Sequence, residues 1–416
     1  MPSSRRAGVV RVVDRGFVDD GGAFLALGTT LFWALWGFEH DKDRLAANLE
    51  TARSSGFDYI RVLAIVGPDH WTDRTVDPRD PTWRPNVSAL TDFAYDRYQL
   101  RIQWTVFGGI GTTPSAETRA AAVDQFLKAI EGRHHKIFAI EVANEGEQNG
   151  FGGPAGWTEI KALAARVRRS YAGLLATTSP ASVDCVRQTR LYAGSPASLR
   201  TLHFRRSDEG RNTWQLLEQP WRVGGASCPR VPVASSSNEP IGPYSSVREE
   251  RDPATLVTSA AFTWTAGVGA YVLHTGAGIR GGGAEDQARG RPANLHDVDG
   301  WLEIVDGLHC LRSVLPPDLP NWERRDERDR GHPFSTTRTA RDQPLWGAHV
   351  AAVQGSRFVT LLPGIRQRIT LTVRRAATVR AIEPLQCAPV LERVVKKGDS
   401  FTLSSGHAAL VILGER

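Results

Sequence analysis

The sequence predicts an α/β fold, a (β/α)8 TIM barrel followed by a small C-terminal all-β, sandwich-like domain. Over residues 1–320, apolar strand-like runs alternate with segments of helical spacing, the rhythm of βα units around a parallel sheet. Eight strand signals can be counted there, the number that closes a barrel rather than leaving the sheet open. Beyond that stretch the pattern changes to short strands with turn residues between them, and Arg368-Ile-Thr-Leu-Thr-Val373 alternates strictly, as a half-exposed antiparallel strand does.

In chain order, a polar turn at Asp19-Asp20-Gly21-Gly22 leads into a first inner strand over 24–33. Leu45, Leu49 and Ala52 share one face of a helix over 41–55, with Gly56 placed to end it. Residues 57–63 read as strand two, and a Trp-, Pro- and Asp-rich loop and a helix over 87–98 follow. Strand three covers 100–107, an amphipathic helix 116–131, strand four 137–143 and a helix 157–176. The second half has weaker signals: strands five and six at 191–193 and 201–204, strand seven at 231–235, a helix over 253–266, strand eight at 270–274 and a closing helix over 301–311. The charged run from Trp322 to Arg330 reads as a solvated connector within 321–334. Residues 335–416 then supply strands near 345–353, 357–362, 367–374 and 378–383 and two more towards the end, enough for a small β-sandwich.

Composition narrows the function classes. A hydrophobic fraction of 41% with 23% charged residues is that of a folded globular chain. The net charge of +6 is spread along the sequence, with no basic run interleaved with aromatics, so no nucleic-acid partner is expected. All but six of the 51 basic residues are arginine, which coding bias explains as well as phosphate recognition would. Cys185, Cys228, Cys310 and Cys387 have no CxxC spacing, so a zinc site is not expected. Buried free thiols are the simple reading, with a Cys185–Cys228 bridge left open. No stretch suffices to span a bilayer, and the apolar run after Arg5-Arg6 is too short for a signal-peptide core. A soluble chain without membrane partners is expected; the sequence does not speak to its oligomeric state.

Chemistry concentrates at two strand ends. Ile137-Phe-Ala-Ile-Glu-Val-Ala143 is followed at once by Asn144-Glu145, and Val231-Pro-Val-Ala-Ser-Ser-Ser-Asn-Glu239 repeats the arrangement. A carboxylate directly after a buried strand is costly unless a site needs it, and in a barrel that position is the catalytic rim. Two such glutamates are what double-displacement glycoside hydrolysis requires. Glu147 competes with Glu145, and Glu141, on the strand itself, reads as an ion-pairing or charge-tuning neighbour.

With Gly56-Phe-Asp-Tyr-Ile-Arg61 on strand two and His203-Phe204 on strand six, these residues resemble, over roughly 16–312, the clan A retaining glycoside hydrolases, the cellulase-like barrels. The resemblance implies Glu145 as general acid/base and Glu239 as nucleophile, with Asn144 donating to the sugar 2-hydroxyl and Arg61 and His203 in the substrate site. It implies no metal and no cofactor. The sequence departs from the pattern at Gln103-Trp-Thr-Val-Phe107, where such enzymes often carry a histidine, and Asn238-Glu239-Pro240 itself resembles a strand-four motif, so the two glutamates could exchange roles.

Sugars present an apolar C–H face that stacks on aromatic rings. Trp33, Trp36, Trp71 and Trp104 fall at or just beyond expected strand ends, Trp157 follows the strand-four loop, and Tyr271 and His274 lie on strand eight. Gly276-Ala-Gly-Ile-Arg-Gly281 matches GxGxxG, but it follows the last strand and precedes more glycines rather than an apolar helix, so it reads as a rim loop. The expectation is a retaining glycosidase acting on a β-linked oligo- or polysaccharide. The alternatives are a non-catalytic carbohydrate-binding barrel and a transglycosylase using the same residues.

Overall fold

Three strands buried along their whole length form the best-defined wall of the molecule: β5 (Tyr59–Ile65), β6 (Arg101–Phe107) and β7 (Ile137–Ala143). A computed structural model describes residues 6–68, 71–179, 191–202, 235–237, 253–284, 288, 290, 292–326, 329–336, 350–362, 368–404 and 410–415. The wall continues through β4 (Ala26–Thr30) to β11 (Ala270–Leu273), β10 (Ser235–Ser237) and β9 (Arg200–Leu202) on one side. On the other side it ends at β8 (Ala176–Thr177). Every pairing in this eight-stranded sheet is parallel, in the order β8-β7-β6-β5-β4-β11-β10-β9. The two ends meet: the Ala176 carbonyl accepts from the Ser198 and Leu199 N–H groups at 2.9 and 3.2 Å, and the Thr177 and Thr201 hydroxyls lie 2.9 Å apart. A parallel sheet curled onto itself is a barrel, and all its C-terminal strand ends share one rim.

Helices cover the outside. After α1 (Ala34–His40), α2 (Lys42–Ser54) buries Leu45, Leu49 and Ala52, the face its spacing predicts. Then come α3 (Trp83–Tyr98), α4 (Ala116–Ala129), α5 (Gly153–Ser170), α6 (Pro253–Thr265), the short α7 (Gly276–Ile279) and α8 (Trp301–Val314). α4 begins at a capping box, in which the Ser115 hydroxyl accepts from the Thr118 N–H at 3.1 Å.

The N-terminal end of the barrel is closed by an antiparallel sheet of β1 (Arg11–Val13), β2 (Gly16–Asp19) and β3 (Gly22–Phe24). Phe17 is fully buried against Phe138, with ring centroids 5.1 Å apart. Asp19 pairs with Arg101 at the start of β6 at 3.0 Å, both side chains being buried.

The C-terminal domain packs two antiparallel sheets face to face. The larger runs β12 (Glu323–Asp326), β14 (Val350–Gln354), β15 (Arg357–Leu362), β20 (Leu410–Glu415), β17 (Ala377–Glu383) and β18 (Ala388–Val395). The smaller runs β13 (Phe334–Thr336), β16 (Arg368–Val373) and β19 (Ser400–Ser404). Phe334, Phe358, Leu371, Phe401 and Ile412 fill the space between them. The other face of the larger sheet, through Ala352, Val359, Leu361 and Val411, belongs to the barrel's own core cluster. Arg324 joins the two modules, with Nη2 donating to the carbonyls of Trp264 at 3.2 Å and Leu319 at 3.0 Å.

Four sequence expectations change. The fifth strand is Ala176–Thr177, not 191–193, where the chain leaves a helical turn. The charged run is not a free connector, because Glu323–Asp326 pairs along Val350–Val353 as an edge strand of the larger sheet. The strand expected over 24–33 stops at Thr30, and α1 begins four residues later. Cys310 on α8 and Cys387 between β17 and β18 are not free thiols but form a disulfide; Cys185 and Cys228 lie outside the described residues.

Candidate active site

β7 delivers the candidate acid. Its residues alternate between the helix layer and the barrel interior, and Glu141 faces inward with a fully buried side chain. Pairing persists one residue past the strand, where the Asn144 N–H donates to the Phe107 carbonyl at 2.9 Å. Glu145 then takes a φ of 42°, in the left-handed region that non-glycine residues seldom occupy. Such strain persists only where surrounding bonds enforce it. Here the Glu145 N–H donates to the Ser179 hydroxyl at 3.0 Å, and the Glu145 carbonyl accepts from the Gln148 and Asn149 N–H groups at 2.8 and 3.2 Å. The Asn149 side-chain amide donates to the Asn144 carbonyl at 2.7 Å. Gly146 packs closely on α5, where an added Cβ would lie 2.4 Å from the end of the Ile160 side chain and displace it. Asn144 and Glu145 are half-buried at the rim, as is Glu147 two residues on.

A charged pair lies beneath this turn. Arg61 donates from Nε at 2.9 Å and from Nη2 at 2.6 Å to Oε2 of Glu141, and from Nη2 at 2.9 Å to Oδ1 of Asn144. The Thr105 hydroxyl donates to the same carboxylate oxygen at 2.6 Å, and the Gln103 amide approaches it at 3.5 Å. Arg61 and Glu141 are 1% and 0% exposed, so attraction between them must offset a large desolvation cost. The Arg61 guanidinium also lies 4.9 Å from the Phe32 ring centroid. His274 meets that ring edge-on at 5.5 Å, and its Nδ1 is 2.8 Å from the Thr30 hydroxyl.

The other sequence candidates divide by strand parity. Trp104, between the inward-facing Gln103 and Thr105, points into the helix layer, where its indole N–H reaches the Thr91 hydroxyl at 3.2 Å and its ring meets Phe126. Tyr271 does the same, with its hydroxyl directed to the Leu256 carbonyl on α6 and its ring against Trp264. Trp33 is 1% exposed, donates to the Ala277 carbonyl at 2.9 Å and is covered by Arg44. These three are core residues and offer no face to a sugar. Trp36 is half-buried beneath the Arg74 guanidinium, 4.2 Å from its ring centroid. Trp71 packs on Phe32, and Trp157 is half-buried on α5. Arg74 and Arg44 both donate to the Gly281 carbonyl, so the glycine-rich 276–281 segment forms rim wall next to Trp36.

Glu239 and His203 lie outside the described residues. The strands leading to them are described: β9 ends at Leu202 and β10 at Ser237, both pointing to the same rim as β7. Sequence reading did not single out Phe32, Thr105 or Ser179. Only Thr105 carried a signal, its parity with Gln103 on a strand facing Glu141. Among the described residues, no group of three or more His, Cys, Asp or Glu is arranged to hold a metal ion, and no helix is long and apolar enough to cross a membrane.

No protein-family profile and no curated protein matches the sequence. Solved structures do match in shape. A protein titled glycoside hydrolase aligns over 100% of this chain and 98% of its own, with a TM-score of 0.66 at 11% identity. A family 5 glycoside hydrolase from Bacteroides vulgatus aligns over 99% and 93%, with a TM-score of 0.67 at 13% identity. A GH27 β-L-arabinopyranosidase from Geobacillus stearothermophilus aligns over 95% and 97%, with a TM-score of 0.55 at 9% identity. The chain has a fold that glycoside hydrolases share. The first two alignments run through barrel and C-terminal domain alike.

Proposed function

We propose that this chain is a retaining glycoside hydrolase of the clan A type, cleaving a β-linked oligo- or polysaccharide, with Glu145 as general acid/base and Glu239 as nucleophile. The observation that carries the reading is Asn144-Glu145, held in a strained turn at the C-terminal end of β7 directly over the buried Arg61–Glu141 pair.

In the first step the Glu239 carboxylate attacks the anomeric carbon while Glu145 protonates the departing glycosidic oxygen, leaving a glycosyl ester on Glu239. In the second, Glu145 takes a proton from water as that water displaces the ester, and the starting configuration returns. Asn144 donates to the 2-hydroxyl, a contact that tightens as positive charge develops on the sugar ring. The reaction calls on no metal or cofactor.

Glu145→Gln and Glu239→Gln variants test the reading against a panel of 4-nitrophenyl glycosides and β-linked polysaccharides, with product anomers followed by NMR. Each variant is expected to lose at least about 100-fold in kcat while still binding sugar, and the wild type to release the β-anomer first. Sugar binding without wild-type turnover would instead support a binding barrel. Products longer than the substrate would support a transglycosylase.

A further inference from the structure

Glu141, with a fully buried side chain, lies too deep in the barrel to touch a substrate, yet it is bound to a cation that touches Asn144. Its Oε2 collects both Arg61 contacts and the Thr105 hydroxyl. Arg61 Nη2 is shared, 2.6 Å from Glu141 and 2.9 Å from Asn144 Oδ1. A guanidinium has only donors to offer, so the Asn144 amide must turn its oxygen towards Arg61. Its NH2 group is thereby committed to the opposite side. An arginine without Glu141 would be free to swing on its long stem, and the amide would lose the contact that fixes which way it faces.

Resting on the glycosidase reading, we propose that Glu141 is a positioning residue: by anchoring Arg61 it orients the Asn144 amide so that NH2 rather than oxygen meets the sugar 2-hydroxyl. Its influence is therefore specific to one hydroxyl of the substrate. A residue that merely supported the fold would affect all substrates alike.

The test compares the fastest 4-nitrophenyl β-glycoside of the panel with its 2-deoxy counterpart. In Glu141→Gln, kcat/KM on the 2-hydroxy substrate is expected to fall about tenfold or more while the 2-deoxy substrate changes less than about threefold, so the preference for the hydroxyl collapses. Thr105→Val removes one bond to Glu141 at nearly constant volume and should lower the same preference by roughly twofold to fivefold; it decides the question if Glu141→Gln does not fold. Parallel losses on both substrates, or an unchanged preference, overturn the inference. If the wild type is active and Glu145→Gln is dead, such a result removes the role of Glu141 alone. If the wild type turns over nothing, or Glu145→Gln keeps full activity, the glycosidase reading fails and takes this inference with it.

Discussion

The hydroxyl of Tyr192 ties the two ends of the barrel sheet together. It donates to the Thr178 carbonyl just past β8 and accepts from the Thr201 N–H within β9 at 3.0 Å. Burial of this phenol pushes its pKa from 10.0 to about 12. An acid whose folded-state pKa is raised keeps its proton in the native state after the unfolded chain has lost it, so folding stability falls as pH rises from about 10 to 12. The two-unit shift corresponds to about 3 kcal/mol over that window. Tyr192→Phe should cost roughly 1 kcal/mol at neutral pH through the lost bonds and flatten the decline between pH 10 and 12, measured by urea unfolding across pH. At the same scale, the position of Asn144-Glu145 at the end of β7 was legible in the sequence, because the mostly apolar run before it marks the strand that stops there. The aromatic candidates were not, because tryptophan and tyrosine suit core and cleft equally. Only the parity of Trp104 against Gln103, and of Tyr271 against its neighbours, separates inward from outward.

Single strands and helices explain where the sequence was clear and where it was not. β5, β6 and β7 were readable as strands because each is a seven-residue, mostly apolar run buried throughout, as a strand covered on both faces is, with Arg61, Gln103, Thr105 and Glu141 as the polar exceptions that meet in the interior. The fifth strand was not readable: Ala176 and Thr177 are too few to establish any period, and the apolar Leu191-Tyr192-Ala193 nearby drew the assignment away. Glu323–Asp326 escaped notice for a different reason. An edge strand can carry charge on nearly every residue, and such a run resembles a linker. On β4 the interior is set by Gly28, which lets the Tyr59 ring lie over the strand and stack on Phe138 with centroids 3.9 Å apart. A Cβ at position 28 would sit 2.4 Å from that ring. Gly28→Ala is therefore expected to lower the urea-unfolding stability by about 1–3 kcal/mol, while the same change at the exposed Gly173, which has open space around it and no left-handed backbone to strain, serves as a control.

The whole molecule is two modules sharing one core, since the larger C-terminal sheet is covered by the barrel on one face and by its partner sheet on the other. Arg324 reinforces the joint by donating to the Trp264 carbonyl at the end of α6, where the helix dipole favours a cation. The Cys310–Cys387 disulfide fastens the same pair of modules elsewhere, across 77 residues of sequence. Opening it with a thiol reductant, or replacing Cys387 by serine, should lower stability by about 2–4 kcal/mol, seen as a drop in Tm of the intact chain.

That covalent tie also changes what a single break in the backbone would do. A protease cut at an accessible peptide bond between the two sulfurs, as at the Gly355 turn, would leave both halves travelling as one species on a non-reducing gel, still seated against each other. Only after addition of a thiol would they run as two bands, so clipping could pass unseen in any preparation judged by size alone.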